Sequence, residues 1–181
     1  MEDGDFLQLF NEFSVFHSFP YKDIFEFDSK GKYIDYLRSL ESLKGDKVKS
    51  YEECEIANYL YINDIDYEYE KAYEIDTATI EHSQYKPDFY LPKYKIYIEH
   101  FGINREGDTA PFVPKKHYQD QMAWKREIHN KNGTHLIETY SYEKNEGILL
   151  SNLKKKLEEK GVEFNPISDE EIVKRLKELK K

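Results

Sequence analysis

The chain has 181 residues, enough for one domain with a real core, and its 36 Asp and Glu outnumber 27 Lys and Arg to give a net charge of -9. That balance argues against broad electrostatic adhesion to nucleic acid, which normally shows as a basic face, while leaving room for a local cationic groove. A lone cysteine, Cys54, excludes an internal disulfide and the multi-cysteine zinc frameworks and fits a reducing compartment. The 16 Tyr and 11 Phe supply too much apolar area for a disordered chain. No stretch is long enough for a membrane span and the acidic N-terminus is no signal peptide, so a cytoplasmic protein without membrane partners is expected.

Residues 5–17 and 29–44 carry apolar side chains at helical spacing, with Ile34, Leu37, Leu40 and Leu43 marking the second stretch, and both read as packing helices. Gly45 to Lys49 form a basic connector, and Ser50 with Glu53 three residues on has the capping-box spacing. On the helix that follows, Ile56, Ala57 and Leu60 place Glu53 within the buried stripe and leave Glu52 and Glu55 off it. An inward carboxylate is costly unless paired or metal-bound, so Glu53 is either a cap or an active-site acid. Asp66 to Tyr73 alternates aromatic with charged residues as a half-exposed strand does. Residues 76–84 are polar loop.

Lys86-Pro-Asp-Phe-Tyr-Leu-Pro-Lys-Tyr-Lys-Ile-Tyr-Ile-Glu-His-Phe101 reads as two strands folded back through a turn at Pro92 to Lys95. With that loop, Leu91 faces Ile96, Tyr90 faces Tyr97, Phe89 faces Ile98 and Asp88 faces Glu99. Alternation then puts Phe89, Leu91, Ile96 and Ile98 on one face and Asp88, Tyr90, Tyr97 and Glu99 on the other. Like charges directly across a ladder repel, so the acid pair calls for a cation. Two hard oxygen donors with open positions suit Mg²⁺, or Mn²⁺ in its place.

After Glu99 the glycines and prolines between His100 and Pro114 exclude a helix, and this loop is expected to border the site, with Arg105 either available to a phosphate or in solvent. Lys115 to Asn132 is the strongest helix, stopped by Gly133, with Tyr118, Met122, Ile128 and His129 in its inner sector and Lys125 near the middle of it. Lys125 either neutralises the acid pair or snorkels over Trp124. Thr134 to Tyr140 follows as a strand with Leu136 and Glu138 on one face, then a helix from Glu146 to Lys160 and a last helix opened by Ser168.

Pro87-Asp88 with Glu99 eleven residues on resembles the metal-binding core of the PD-(D/E)XK nucleases, with His100-Phe101 standing where that family has X-Lys. The order of elements is also the restriction endonuclease-like α-β-β-β-α-β order. The stretches around Lys44 to Asn58, Tyr85 to Ile103 and Trp124 to Tyr142 further resemble the nuclease-like domain within superfamily 1 helicases of the DNA helicase IV type. The resemblance implies an α/β fold with a mixed sheet, a helical N-terminal extension over residues 1–49, a nuclease core over 50–142 and C-terminal helices over 143–181. It implies a Mg²⁺- or Mn²⁺-dependent deoxyribonuclease in which Asp88, Glu99 and the carbonyl of His100 hold metal and Glu53 orients water. Lys125 would replace the missing lysine, and Lys86, Arg105 and Arg126 would meet the nucleic acid, taken as DNA. No Gly-x-x-x-x-Gly-Lys-[Ser/Thr] loop occurs, so the chain would be a nuclease module working with helicase motor domains of the same parent chain. The alternative is a catalytically degenerate nuclease fold that binds or docks, which the absent motif lysine and the negative charge favour. A carboxylate-pair hydrolase acting on sugars would leave Lys125 without a role.

Overall fold

The computed structural model describes residues 24–37 and 40–179; the expected helix at 5–17 lies outside them. The chain divides into two compact units, one made of residues up to Asp66 together with Val162 onward, the other of Tyr67–Gly161.

In the first unit, a 3₁₀ turn at Ile24–Glu26 precedes α1 (Lys30–Leu37) and α2 (Tyr51–Ile62), and α6 (Asp169–Leu179) closes the chain. Ser50 caps α2 by accepting the Glu53 N–H at 3.0 Å, while the Glu53 carboxylate accepts the Lys49 N–H at 3.3 Å. That variant of the reciprocal cap satisfies one orphan donor of the first turn and the N–H of the residue before the cap. The expected amphipathic wheel does not hold. Glu52 and Glu55 are as buried as Glu53, and Tyr61 alone of the twelve α2 residues escapes full burial, so the helix has no solvent face to separate from a core face. Ile62 and Ile172 pack together with Leu43, Tyr61 and Ile167. Ser168 caps α6, as its spacing predicts, accepting the Glu171 N–H at 3.2 Å.

The second unit is α/β. Its sheet runs β1 (Glu68–Tyr69), β2 (Phe89–Leu91), β3 (Ile96–Phe101), β4 (His135–Tyr140), the first two pairings antiparallel and the last parallel. The strand expected at 66–73 is cut short because Glu70 turns into the left-handed region with φ of 50°. The chain nevertheless keeps beside β2, with Glu70 N–H to Asp88 O at 3.0 Å and Tyr73 N–H to Tyr85 O at 2.8 Å. The hairpin register is the predicted one, Phe89 with Ile98, Tyr90 with Tyr97, Leu91 with Ile96. Phe89, Leu91, Ile96 and Ile98 are all buried, as one face of a pleat packed on a core must be.

Helix α3 (Lys115–Asn132) crosses between β3 and β4, as a parallel pair requires. It ends where Gly133 takes φ of 66°, a left-handed turn that glycine adopts without steric cost. The helix expected from Glu146 to Lys160 is two, α4 (Ser141–Asn145) and α5 (Leu149–Glu159), because Gly147 at φ of 72° interrupts it. Leu149, Leu150, Leu153 and Leu157 give α5 its buried stripe.

The hairpin turn stores strain at one point. Lys95 sits at φ of 54° although it carries a Cβ, a conformation costing roughly 1–2 kcal/mol. Lys95→Gly should therefore raise unfolding free energy by about 0.5–1 kcal/mol after glycine's own entropy is subtracted, measured by urea denaturation; a loss of stability would show that the Lys95 side chain makes contacts worth more than the strain.

Candidate functional site

The site is built where β2, β3 and α3 meet in the second unit. Register places Tyr97, Glu99 and Phe101 of β3 beside Leu136, Glu138 and Tyr140 of β4 on the sheet face that carries α3. Ile96, Ile98 and His100 point the other way with Ile137 and Thr139.

Asp88, the residue just before β2, comes against Glu99 as the hairpin pairing predicts. The two carboxyls hydrogen-bond to each other, and Asp88 Oδ2 also accepts the backbone N–H of His100 at 2.7 Å. Glu99 is 1% exposed and Asp88 half-buried. Burial first, and the Glu99 charge second, push the Asp88 carboxyl well above the usual range. Burial pushes Glu99 up as well, but three partners oppose it. Lys125 Nζ lies 3.0 Å from Glu99 Oε2, the Tyr85 hydroxyl donates to Oε1 at 2.8 Å, and Asp88 hydrogen-bonds to it. Glu99 is therefore the anion of the pair and Asp88 the keeper of the shared proton.

Lys125 projects inward rather than snorkelling out. Its side chain is 26% exposed and its ammonium lies 5.7 Å from the Tyr85 ring centre and 5.8 Å from that of Phe101. Phe101, two residues past Glu99, places an aromatic ring beside the pair, and the cation arrives from the helix. Trp124, next to it on α3, stacks on His82 at 4.2 Å and meets Tyr85 edge-on at 5.7 Å.

The expected nucleic-acid contacts are placed less openly. Arg105 makes a bidentate pair with Glu146 at 2.7 and 2.6 Å and lies 4.3 Å over Tyr142, which itself stacks on Tyr140. Arg126 binds Glu138 at 2.6 Å and lies 5.5 Å from the Phe101 ring centre. Lys86 is exposed. Glu53 belongs to the first unit and accepts from the Lys49 N–H.

The His100 ring faces away from Glu99, with Nδ1 2.8 Å from Thr139 Oγ1 and Nε2 3.5 Å from Ser141 Oγ. Its imidazole therefore does not reach the acids, which meet only the backbone N–H of His100. Two further side chains reach the site without any signal that the sequence pattern offers. Tyr85 lies in an aperiodic loop three residues before Asp88, and Thr134 lies just past a helix stop. His129 shows as an inner residue of α3, but its link to Tyr85, 3.1 Å from Nε2, is tertiary.

As a metal centre the donor set fits a hard divalent cation in type, two carboxylates on one face with one of them half-open. Among the described residues no group of three or more His, Cys, Asp and Glu side chains gathers into a metal cage. Any ion held here would keep much of its coordination for water and substrate. Compared with known family models, curated proteins and solved structures, the chain has no significant match to any of them.

Tyr85→Phe leaves Glu99 Oε1 and His129 Nε2 short of a partner in a dry setting, and is expected to cost about 1–3 kcal/mol by urea denaturation; an unchanged midpoint would mean that the hydroxyl stabilises nothing. The pH dependence has a definite sign at His100, which burial alone pushes down to about 3. The unfolded chain takes up a proton near pH 6.5 that the folded chain refuses, so this residue's contribution to stability is full above about 6.5 and is lost as pH falls toward 3. His100→Gln should flatten the acid limb of the stability curve by up to about 1.4 kcal/mol per pH unit between pH 6 and 4, read from melting curves across that range.

Proposed function

We propose that the second unit carries a divalent-metal-dependent phosphodiesterase site acting on nucleic acid, with DNA as the substrate class, of the PD-(D/E)XK kind. The observation that carries this reading is the convergence of Asp88, Glu99 and the Lys125 ammonium on one point, within a unit whose elements begin β-β-β-α-β. Asp88 and Glu99 would hold Mg²⁺, with the His100 carbonyl as a further oxygen. When bound, such an ion lowers the pKa of water and offsets charge on a leaving oxygen.

The chain's own residues divide the remaining work. Glu99 stays ionised because Lys125 and Tyr85 meet its two oxygens. Asp88 must surrender its shared proton before it can serve as a ligand, so metal binding is coupled to pH. Lys125 sits ready to offset negative charge that grows on a phosphoryl group in the transition state, where a preformed cation contributes most. Arg105 and Arg126 would have to trade Glu146 and Glu138 for phosphate, and Lys86 is already exposed. Work beside helicase motor domains of the same parent chain, in the cytoplasm, belongs to this proposal. Among the described residues, no helix is long and apolar enough to cross a membrane.

A second reading, a degenerate nuclease fold that docks or binds without cutting, is favoured by one specific observation. Two of the three cations assigned to substrate are already engaged with carboxylates. Metal titration separates the two readings. Calorimetry should show Mn²⁺ binding that strengthens with rising pH and releases close to one proton, seen as a heat that varies with the buffer's ionisation enthalpy; absence of any binding at millimolar Mn²⁺ would leave the docking module. Asp88→Asn should reduce Mg²⁺-dependent cutting of DNA to background, and Lys125→Ala should slow it by about 10²–10³-fold, assayed by gel on labelled single- and double-stranded substrates; undiminished cutting by Asp88→Asn would refute the site.

A further inference from the structure

Glu99 is held on its Oε1 side by a chain of hydrogen bonds through four other side chains. The Tyr85 hydroxyl lies 2.8 Å from Glu99 Oε1 and 3.1 Å from His129 Nε2. His129 Nδ1 lies 2.8 Å from Thr134 Oγ1, which lies 2.7 Å from the Tyr73 hydroxyl. Glu99, Tyr85, His129 and Tyr73 are each 3% exposed or less.

Donor counting fixes the direction of every bond. Tyr85 has one hydroxyl proton, and it donates that proton to Glu99 Oε1. The Tyr85 oxygen must then receive its second bond from His129, which requires the proton on Nε2. A neutral imidazole has one N–H, so Nδ1 accepts from Thr134, and Thr134 in turn accepts from Tyr73. Burial, reinforced by the Lys125 charge, keeps His129 neutral with a pKa of about 4. The opposite tautomer would set two lone pairs against each other between His129 and Tyr85. The helix stop supplies the far end of the chain. Gly133 in its left-handed turn lets the Thr134 N–H reach the His129 carbonyl at 3.0 Å, which brings the Thr134 hydroxyl to the imidazole.

We infer that His129, as its Nε2–H tautomer, is a positioning residue that aims the Tyr85 hydroxyl at Glu99 Oε1 and so turns Oε2 toward Lys125 and the open side of the site. The functional half of this inference rests on the phosphodiesterase reading; the direction of the hydrogen bonds does not.

The experiment has two arms. In metal-free protein labelled with ¹⁵N, two-bond proton–nitrogen correlations of the imidazoles, with the His129 signals identified by their loss in His129→Gln, should show a neutral ring protonated at Nε2 at pH 7. An Nδ1–H ring or an imidazolium overturns the inference, and this arm needs no variant to fold well beyond the assignment. In the second arm, Mn²⁺ affinity is measured by calorimetry for wild type, His129→Leu and His129→Gln. Leucine should weaken binding by about 10–100-fold, as loss of an outer partner of a ligand does, while glutamine, which keeps an N–H donor for Tyr85, should stay within about threefold of wild type. Equal weakening by both variants, or none by leucine, overturns the positioning role. Should wild type itself fail to bind Mn²⁺, the phosphodiesterase reading falls and the tautomer alone decides the hydrogen-bond direction.

Discussion

A hairpin that sets two carboxyls side by side in a dry place is the constraint on which the second unit depends. Pairing of β2 with β3 leaves Asp88 and Glu99 no choice of face, since a shift of one residue would turn Tyr90 and Tyr97 into the space that Phe89 and Ile98 fill and move those two onto the face that carries α3. The apolar face therefore dictates where the acids meet. Once they meet, full ionisation of both is prohibitive, and the structure answers by dividing the labour: one carboxyl keeps a proton, the other keeps a charge and collects a lysine and a phenol.

That arrangement does not serve stability. A carboxyl whose folded pKa is raised binds its proton more tightly in the folded chain, so it favours folding as pH falls and opposes folding as pH rises through the raised value. At neutral pH the acid pair weighs against the fold, and replacing a buried ion pair by apolar residues of similar volume is often neutral or stabilising. Local rules broken in this way mark places where a chain is shaped by something other than packing. Phe101, two residues past Glu99, shows how the strand accommodates this. It packs with Ile103 and Met122 as core, while the positive charge is delivered from α3.

Legibility from sequence followed the periodicities. The hairpin register, the span of α3 and the inward aim of Lys125 came from period-two and period-3.6 patterns with clear stops at Pro92 and Gly133. Where the pattern failed, the reason is physical in each case. Burial on all sides of α2 erases the contrast that a helical wheel needs. Glu70 and Gly147 break elements through local backbone turns that alternation cannot register. Tyr85 and Thr134 reach the site by loop geometry, and a loop has no period to read. Arg105 and Arg126 are visible as cations, but the carboxylates that engage them, Glu146 and Glu138, are 41 and 12 residues away in sequence.

The electrostatics of the site also bear on why an acidic chain can hold a nucleic-acid reading. The charges that matter sit within a few ångströms of one another, where the low local dielectric outweighs a distant surface that salt screens over about 10 Å. Lys125 meets Glu99 at 3.0 Å, and under the proposed reading a divalent ion that displaces the Asp88 proton would offset both carboxylates and leave the Lys125 charge to face the substrate. The -9 of the whole chain would still slow the approach of a polyanion. Under the proposed reading such a site would suit substrate delivered by another surface rather than captured by its own, and local charge at the acids, not overall charge, would be the property on which its chemistry turns.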